Sequence, residues 1–393
     1  MKSALGRLSS QPGGFAERWP DEPQVHHGDP AEAARLLSVG DLDRVIADQG
    51  LPASSVTMAK DNVMARPGSL TAPELAAFPG TAGAVDARRV GERLRSGHTL
   101  LVMGLHRTWR PLSEFCRLLT AELGHPLYAH AFLTPPGNQG FAHHWDTEAV
   151  FILQTAGHKT WELHEPVLAD PLPRHRWGRT PVPPKERERF EKGEPFLRVR
   201  LAPGDALWIP RGWVHNGYAE DDTSLHISLG ILQLTRHWVI ERLLDLAAGD
   251  PRFRAALPPA LNERGIDEAA AEAARCFAAW LSDLDFDRAA PVLRAEQLRA
   301  QGGPRRASVA SALAPAGQAP EGGAVAAVPG AVLATSKDDG GLVLHLGDHD
   351  VQVPGAFAGT VETLLGGAPL EPGELPALLV GELLREGVVA PAG

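Results

Sequence analysis

The sequence contains few cysteines, no long apolar run and no excess of basic residues. Its two cysteines, Cys116 and Cys276, are too few for a disulfide-stabilised fold and are typical of a reducing cytosol. A membrane-spanning helix needs about 18 consecutive apolar residues, and no such run occurs. The first seven residues also lack the apolar core of a signal peptide. We therefore expect a soluble, cytoplasmic protein with no membrane partner.

The overall charge argues against a general attraction to nucleic acid. The chain carries 38 Lys and Arg against 48 Asp and Glu, a formal net charge of −10, with both signs well mixed. A local basic cluster, RHRWGR, lies at 174–179. This cluster either guides an acidic or RNA-associated substrate or belongs to a solvated loop.

The apolar pattern predicts a β-rich core followed by helices. With 393 residues, of which 44% are hydrophobic, the chain is long enough for two or three domains. Between about 128 and 233, short apolar runs separated by Gly and Pro turns are typical of a β-sandwich or small barrel. The spacing then becomes helical. Thr235 is the expected N-cap of a helix over 236–246, and Asp267 that of a second helix over 268–284. The apolar surface of these helices packs on the barrel or forms a dimer interface.

The C-terminal part reads as a linker followed by a small module. Residues 302–330 are rich in Ala, Pro and Gly, as a flexible linker is. Beyond them, two runs at 341–346 and 350–353 read as a hairpin, and helical stretches follow, an order that fits a winged helix. From 331 onwards, Lys337 and Arg385 stand against nine acidic residues, so we expect contact with protein rather than direct DNA binding. The predicted domains are therefore a catalytic domain (1–234), a helical region (235–301), a linker (302–330) and a winged-helix-like domain (331–393).

Three residues have the chemistry of a metal site. His144 and Asp146 are two apart in a segment that reads as a strand, so both side chains can face one point. His215 ends the segment GDALWIPRGWVH and can supply a third ligand if the two strands are adjacent. Two histidines and one carboxylate on one face of a metal form the facial triad of non-haem Fe(II) oxygenases. An isolated His-x-Asp pair arises often by chance, but turns and strands flank all three residues here, which favours the metal site.

Lys159 and Thr134 are candidates for binding the far end of a dicarboxylate. Lys159 follows the turn at Gly157, so a strand returning from that turn would point the ammonium group into the same cavity. Thr134 precedes a turn and can donate its hydroxyl to the same carboxylate. Without a metal, Lys159 would be read as a solvent-facing strand lysine, and turn capping is an alternative role for Thr134.

Strand alternation places two further histidines and leaves the facing of a third open. His143 and His158 each neighbour a candidate site residue, so strand alternation points them to the opposite face. His226 follows His215 on the next predicted strand, where it either lines the pocket or faces away from it.

Three segments resemble the JmjC-type ribosomal oxygenases of the cupin superfamily: TPPGNQGFAHHWD at 134–146, LQTAGHKTW at 153–161 and GDALWIPRGWVH at 204–215. Members of this family are 2-oxoglutarate- and Fe(II)-dependent protein hydroxylases. The resemblance implies an α+β fold. A double-stranded β-helix (the cupin/JmjC jelly roll) would be followed by a helical dimerisation region and a C-terminal winged-helix-like domain.

The resemblance also implies roles for individual residues. His144, Asp146 and His215 would bind Fe(II), Lys159 would pair with the C5 carboxylate of 2-oxoglutarate with Thr134 as its companion, and O₂ would be the second cosubstrate. The sequence departs from the family at four positions that bear on the pocket. His143 replaces the usual Pro, Trp145 a frequent Tyr, and His130 and Phe132 the Asn and Tyr of histidine-directed members.

The implied function is hydroxylation of an Arg or His side chain of a protein, a ribosomal protein above all, by a homodimer. Two alternatives stay open. In the first, the same chemistry acts on a biosynthetic peptide, a small metabolite or an N-methylated residue, because the four departures from the family would change the substrate contacts. Alternatively, the chain is a catalytically silent, metal-binding cupin that serves as an interaction module.

Overall fold

A computed structural model describes residues 3–66, 68–72, 83–257, 259, 263–302 and 323–392. The chain begins with short helices and one strand that pack against the later β-rich core: α1 Ala4–Leu8, α2 Pro12–Glu17, β1 Gln24–His26, α3 Pro30–Leu36 and α4 Val39–Asp48. Helix α4 starts at a capping box. The Ser38 side chain accepts a hydrogen bond from the Asp41 N–H, and the Asp41 carboxylate accepts one from the Ser38 N–H.

The larger sheet has eight antiparallel strands in the order β1-β9-β6-β11-β5-β4-β2-β3. The bounds of the strands after β1 are β2 Val56–Lys60, β3 Val63–Met64, β4 Thr99–Val102, β5 Leu127–Thr134, β6 Ala149–Ala156, β9 Ala206–Ile209 and β11 Ser224–Ile231. Helices α5 Ala87–Arg95 and α6 Arg110–Leu123 flank β4 in the chain. The central strand β11 is buried along its whole length because one face packs on the helices and the other faces the smaller sheet.

The smaller sheet has three antiparallel strands in the order β10-β7-β8. Their bounds are β7 Lys159–His164, β8 Leu197–Leu201 and β10 Val214–Tyr218, with helix α7 Pro184–Lys192 in the insertion before β8. Apolar side chains of both sheets, among them Ile152, Trp161 and Leu207, pack into a shared core. The two facing antiparallel sheets form the expected double-stranded β-helix.

Aromatic residues of the N-terminal segment anchor it to the larger sheet. Trp208 is fully buried, and its ring stacks on Trp19 at 5.7 Å and meets Phe15 edge-on at 5.1 Å between centroids. The Trp208 indole N–H donates to the Pro20 carbonyl at 3.0 Å. Removing such a ring from a core costs about 3–5 kcal/mol, so this cluster fixes the lead-in segment on the barrel.

A helical region follows the sheets, with α8 Arg236–Ala247, α9 Pro251–Arg254, α10 Glu263–Ser282 and α11 Phe286–Gln301. Thr235 is the N-cap of α8, as predicted, and accepts from the Trp238 N–H. The prediction that Asp267 caps the next helix is wrong, because α10 already begins at Glu263 and Asp267 lies inside it. An Asp near the N-terminus stabilises a helix through its dipole, whether it is the N-cap or lies in an early turn. An Asp at the N-cap and an Asp inside the first turns therefore look alike in sequence.

The C-terminal module has its own hydrophobic core. Its elements are β12 Val325–Ala327, β13 Ala334–Asp338, β14 Gly341–His345, β15 Asp350–Pro354, α12 Ala358–Leu365, α13 Ala377–Arg385 and β16 Val389–Pro391. The predicted hairpin is present as β14 paired with β15. Strand β12 lies within the predicted linker 302–330 and pairs with β16, a contact too distant in sequence to be seen from composition. Residues 303–322 of that linker lie outside the described residues.

In the described part of the chain, the helices are too short or too polar to cross a membrane.

Candidate metal centre

His144, Asp146 and His215 come together at the open end of the space between the two sheets. Their candidate ligand atoms all lie within 4.8 Å of one another, and His215 Nε2 is 3.8 Å from Asp146 Oδ2. His215 lies on β10, whereas His144 lies in the loop before β6 and meets His215 through an isolated bridge. Two backbone hydrogen bonds make this bridge: His144 N–H donates to the His215 carbonyl at 3.1 Å, and His215 N–H donates to the His144 carbonyl at 2.8 Å.

The orientation of both imidazoles suits metal binding. His144 Nδ1 is 2.8 Å from the Ala142 carbonyl oxygen, and His215 Nδ1 is 3.0 Å from that of Trp213. Because a carbonyl only accepts, each Nδ1 carries the proton, which leaves the Nε2 lone pair free. Burial, with a further contribution from His144, lowers the pKa of His215 to about 4. The ring is therefore neutral near pH 7, the form that a metal requires.

Lys159 is a buried cation that no carboxylate neutralises among the described residues. Its side chain lies at the start of β7 and is 4% exposed, and its Nζ donates to Thr134 Oγ1 at 3.1 Å. Thr99 Oγ1 also donates to Thr134 Oγ1, at 3.1 Å, so the Thr134 proton is available for a ligand. Burial lowers the pKa of Lys159 to about 7. An ammonium group buried in this way fits an anionic ligand, whose charge would replace the lost hydration.

A cavity of about 340 Å³ joins the triad to Lys159. This volume lies within the range of small-molecule sites, about 300–1,000 Å³. Its walls come from both sheets and from the loop that carries His144. The lining includes Thr99, Tyr128, His130, Phe132, Phe141, Trp161, His226 and Ser228.

His226 faces this cavity. The sequence alone did not decide between this orientation and the opposite one. The residue is 1% exposed, and its ring stacks on Phe132 with centroids 4.8 Å apart and planes 6° apart. Burial holds the pKa of His226 well below its usual value. Its Nδ1 and the Trp161 Nε1 have no hydrogen-bond partner in the described part of the chain. Buried polar atoms are normally satisfied, so these two atoms are available to a ligand in the cavity.

His143 and His158 point away from the triad, as strand alternation predicted. The expectation that all four departures from the family bear on the pocket is therefore wrong for His143 and also for Trp145, which packs on Trp177, whereas His130 and Phe132 line the cavity. The His143 ring packs on His164 with centroids 5.3 Å apart and on Phe190 at 5.7 Å, beneath the insertion before β8. His158 Nδ1 is 2.8 Å from an Asp222 carboxylate oxygen. The arginines of the cluster at 174–179 are exposed, which favours the solvated-loop interpretation.

Several cavity residues were not found by sequence reasoning. Tyr128, Trp161 and Ser228 carry no motif of their own, and they line the cavity because of strand register. Alternation along β5 and β11 was visible in the sequence, but it does not say which face meets the metal.

Comparisons with known proteins agree with this geometry. Residues 106–238 match the JmjC domain. The chain is 38% identical over 120 residues to the bifunctional lysine-specific demethylase and histidyl-hydroxylase NO66 of Drosophila persimilis, covering 30% of this chain and 16% of that protein. It is 33% identical over 153 residues to human ribosomal oxygenase 1, covering 37% of this chain and 23% of that protein. The chain thus spans less than a quarter of the length of either relative.

The fold is also similar to solved structures over nearly its whole length. One is YcfD, a ribosomal oxygenase from Escherichia coli in complex with cobalt and 2-oxoglutarate. Its TM-score is 0.53 at 16% identity, with 97% of this chain and 98% of that chain covered. At this identity, the similarity shows the cupin-type fold that the two sheets define.

Proposed function

We propose that this chain, whose residues 106–238 match the JmjC domain, is a 2-oxoglutarate- and Fe(II)-dependent oxygenase that hydroxylates a protein side chain, Arg or His. The observation that carries the proposal is the placement of His144, Asp146 and His215 in one cavity with the ammonium group of Lys159, which has no carboxylate partner among the described residues. A metal triad alone fits many cupins, whereas a buried cation across the same cavity calls for a dicarboxylate cosubstrate.

The residues have distinct tasks in this proposal. When bound, Fe(II) with 2-oxoglutarate and O₂ supplies the oxidising power to insert oxygen into a C–H bond. His144, Asp146 and His215 hold one face of the metal, so that the remaining positions stay open. Lys159 and Thr134 bind the far carboxylate and thereby fix the orientation of the cosubstrate. The rings of Trp161, Phe132 and His226 enclose the inner part of the cavity and exclude water from it.

A ribosomal protein is the proposed substrate. The names of two similar proteins, human ribosomal oxygenase 1 and the ribosomal oxygenase YcfD of Escherichia coli, support this choice. The free cysteines Cys116 and Cys276 support a cytoplasmic setting.

We further propose that the helical region forms a homodimer. Three large apolar side chains of α8 are exposed, Val239 at 40%, Ile240 at 51% and Leu244 at 50%. An exposed apolar face of this kind is typical of an interface. The C-terminal module, winged-helix-like in our proposal, would contact protein rather than DNA because its charge is acidic.

The test of the substrate class uses ribosomal proteins directly. The Fe(II)-reconstituted enzyme is incubated in air with 2-oxoglutarate and purified ribosomal proteins, and intact masses are compared with those from the Asp146→Ala variant. The proposal predicts that one ribosomal protein gains the mass of one oxygen atom with the wild type alone. Succinate formation without any such gain would direct the search to peptides or metabolites and would contradict the ribosomal substrate.

A further inference from the structure

A second cavity lies between the two-sheet core with its flanking helices and the C-terminal module. Its volume is about 240 Å³, below the range of about 300–1,000 Å³ that is usual for drug-sized ligands. Helix α6 and the turn Leu105–Arg107 form one wall, and segments of the module around Ala331, Leu346 and Glu386 form the other. This cavity shares no lining residue with the cavity of the metal triad. A ligand bound here would therefore be separate from the cosubstrate.

Two buried side chains, His106 and Thr120, offer hydrogen-bond donors to this cavity. His106 is 8% exposed, and its Nδ1 accepts from the Ala129 N–H at 3.1 Å. Burial, followed by the charge of Arg107, lowers the pKa of His106 to about 4, so the ring is neutral near pH 7 and its proton lies on Nε2. Within the described residues, neither this Nε2–H nor the hydroxyl of Thr120, which is 7% exposed, makes a hydrogen bond. Because buried polar groups are normally satisfied, both donors are available to a ligand.

The charged groups of the cavity favour an anion. Arg107 and Arg117 bring two guanidinium groups to the lining, against one carboxylate, that of Glu386, among its described residues. One oxygen of that carboxylate lies 2.9 Å from His349 Nε2. No carboxylate of the described residues lies within ion-pair distance of Arg107. Guanidinium groups together with N–H and O–H donors are the groups that bind an oxyanion.

Much of the remaining lining is apolar, and it indicates what kind of anion fits. The apolar side chains come from both walls: Pro126, Leu127, Leu232, Leu333 and Leu346. An inorganic anion would leave this surface without a partner, whereas the apolar chain of an organic acid would cover it.

We propose that this cavity binds a small aliphatic carboxylate, with the carboxylate group at His106, Thr120 and Arg107 and the apolar chain against the leucines. Such a ligand contacts the two-sheet core and the C-terminal module at once, so it stabilises the packing of the module on the core. The inference does not rest on the proposed function, because the cavity is separate from the metal triad.

The experiment compares hexanoate with its neutral counterpart hexanamide, which has the same chain and nearly the same shape. Each is titrated under anaerobic conditions into the full-length protein loaded with Fe(II) and saturated with 2-oxoglutarate, with ligand-observed NMR as the readout. We expect hexanoate to bind about tenfold tighter or more. In Arg107→Gln and in Thr120→Val this ratio should fall several-fold. Ala331→Leu, which fills the cavity without removing a polar group, should abolish the binding of both compounds.

Control variants separate the possible causes of a negative result. Arg110→Gln, at an exposed position at the start of α6, should keep the wild-type ratio. Circular dichroism and the Tm should be unchanged in Arg107→Gln and Thr120→Val, which shows that both variants fold. Lys159→Ala should bind hexanoate as the wild type does, because the acid does not occupy the catalytic cavity.

Several results would overturn the inference. These are a wild-type ratio near one, a ratio unchanged in both Arg107→Gln and Thr120→Val, a loss of hexanoate binding in Lys159→Ala, and tighter binding of inorganic phosphate than of hexanoate. Failure of the proposed function would instead show as absent succinate formation in the wild type, with hexanoate binding retained.

Discussion

Lys159 Nζ lies 3.1 Å from Thr134 Oγ1, and within the described residues this hydroxyl is its hydrogen-bond partner in place of a carboxylate. Burying a charged amine without an acidic partner is costly. In our account, a carboxylate of the bound cosubstrate supplies the missing negative charge and so offsets the free-energy cost of burying Lys159. The pair thus links the fold to the proposed use of 2-oxoglutarate.

Removal of the Lys159 ammonium group should weaken 2-oxoglutarate binding. In Lys159→Ala we expect a loss of roughly 2–4 kcal/mol, because the far carboxylate would be buried without its counter-charge. The measurement is the KM for 2-oxoglutarate, determined from the rate of succinate release. Lys192→Ala is the matched control, since Lys192 is exposed and lies on α7. An unchanged KM in Lys159→Ala would contradict the assignment.

The affinity for 2-oxoglutarate should fall as the pH rises through about 7. Burial lowers the pKa of Lys159 to about 7 in the ligand-free protein, so the amine is protonated below that pH and increasingly neutral above it. Only the protonated form attracts a carboxylate, so each pH unit above 7 should raise the KM by up to about tenfold.

The Lys159→Arg variant is the control for this pH dependence, because a guanidinium keeps its charge throughout the range. Its KM should vary little with pH. A wild-type KM that is equally flat on the alkaline side would show that the Lys159 charge does not govern cosubstrate binding.

Metal removal should destabilise the protein through the triad. A metal that binds the folded state at one hundred times its Kd adds about 2.7 kcal/mol to the free energy of unfolding. Adding Mn(II) to the metal-free wild type should therefore raise its Tm, and His144→Ala and His215→Ala should lose this shift. Thermal unfolding with and without EDTA tests this. A shift of wild-type size in both variants would place the metal elsewhere.

Disruption of the exposed α8 face should produce monomers. Ile240→Glu and Leu244→Glu place a charge on the apolar surface that we assign to the dimer interface, where an unpaired charge is unfavourable. Sedimentation velocity should show a dimer for the wild type and a monomer for these variants. Val63→Glu, at another exposed apolar position, should stay dimeric. A wild type that is monomeric at all concentrations would refute the dimer.

The parts of the site that sequence could predict are those fixed by local chemistry. His144, Asp146 and Lys159 stand beside turns and short apolar runs, and their convergence followed from residue spacing. The prediction that His144 and Asp146 lie in a strand is wrong, because both lie in the loop before β6, where an isolated bridge to His215 positions His144. Spacing and neighbouring turns could not predict which side of the sheet His226 faces. That choice depends on the register between β11 and its neighbours, which is set by contacts far apart in the chain.

The position of Tyr128 in the cavity wall could not be predicted from the sequence for a similar reason. Tyr128 reaches across β11 because residue 230 is a glycine about a hundred positions away in the sequence, and no local pattern connects the two. The same limit applies to β12, whose pairing with β16 turns an Ala-rich stretch into a strand. Long-range pairing, rather than local propensity, decides these features.

The central claim is tested most directly by succinate release from 2-oxoglutarate in air, after anaerobic reconstitution of the wild type and of Asp146→Ala with Fe(II). The account predicts succinate from the wild type and none above background from Asp146→Ala, with 2-oxoglutarate still consumed slowly by the wild type when no protein substrate is added. A wild type that binds Fe(II) at His144, Asp146 and His215 but forms no succinate would contradict it, and would identify the chain as a metal-binding interaction module.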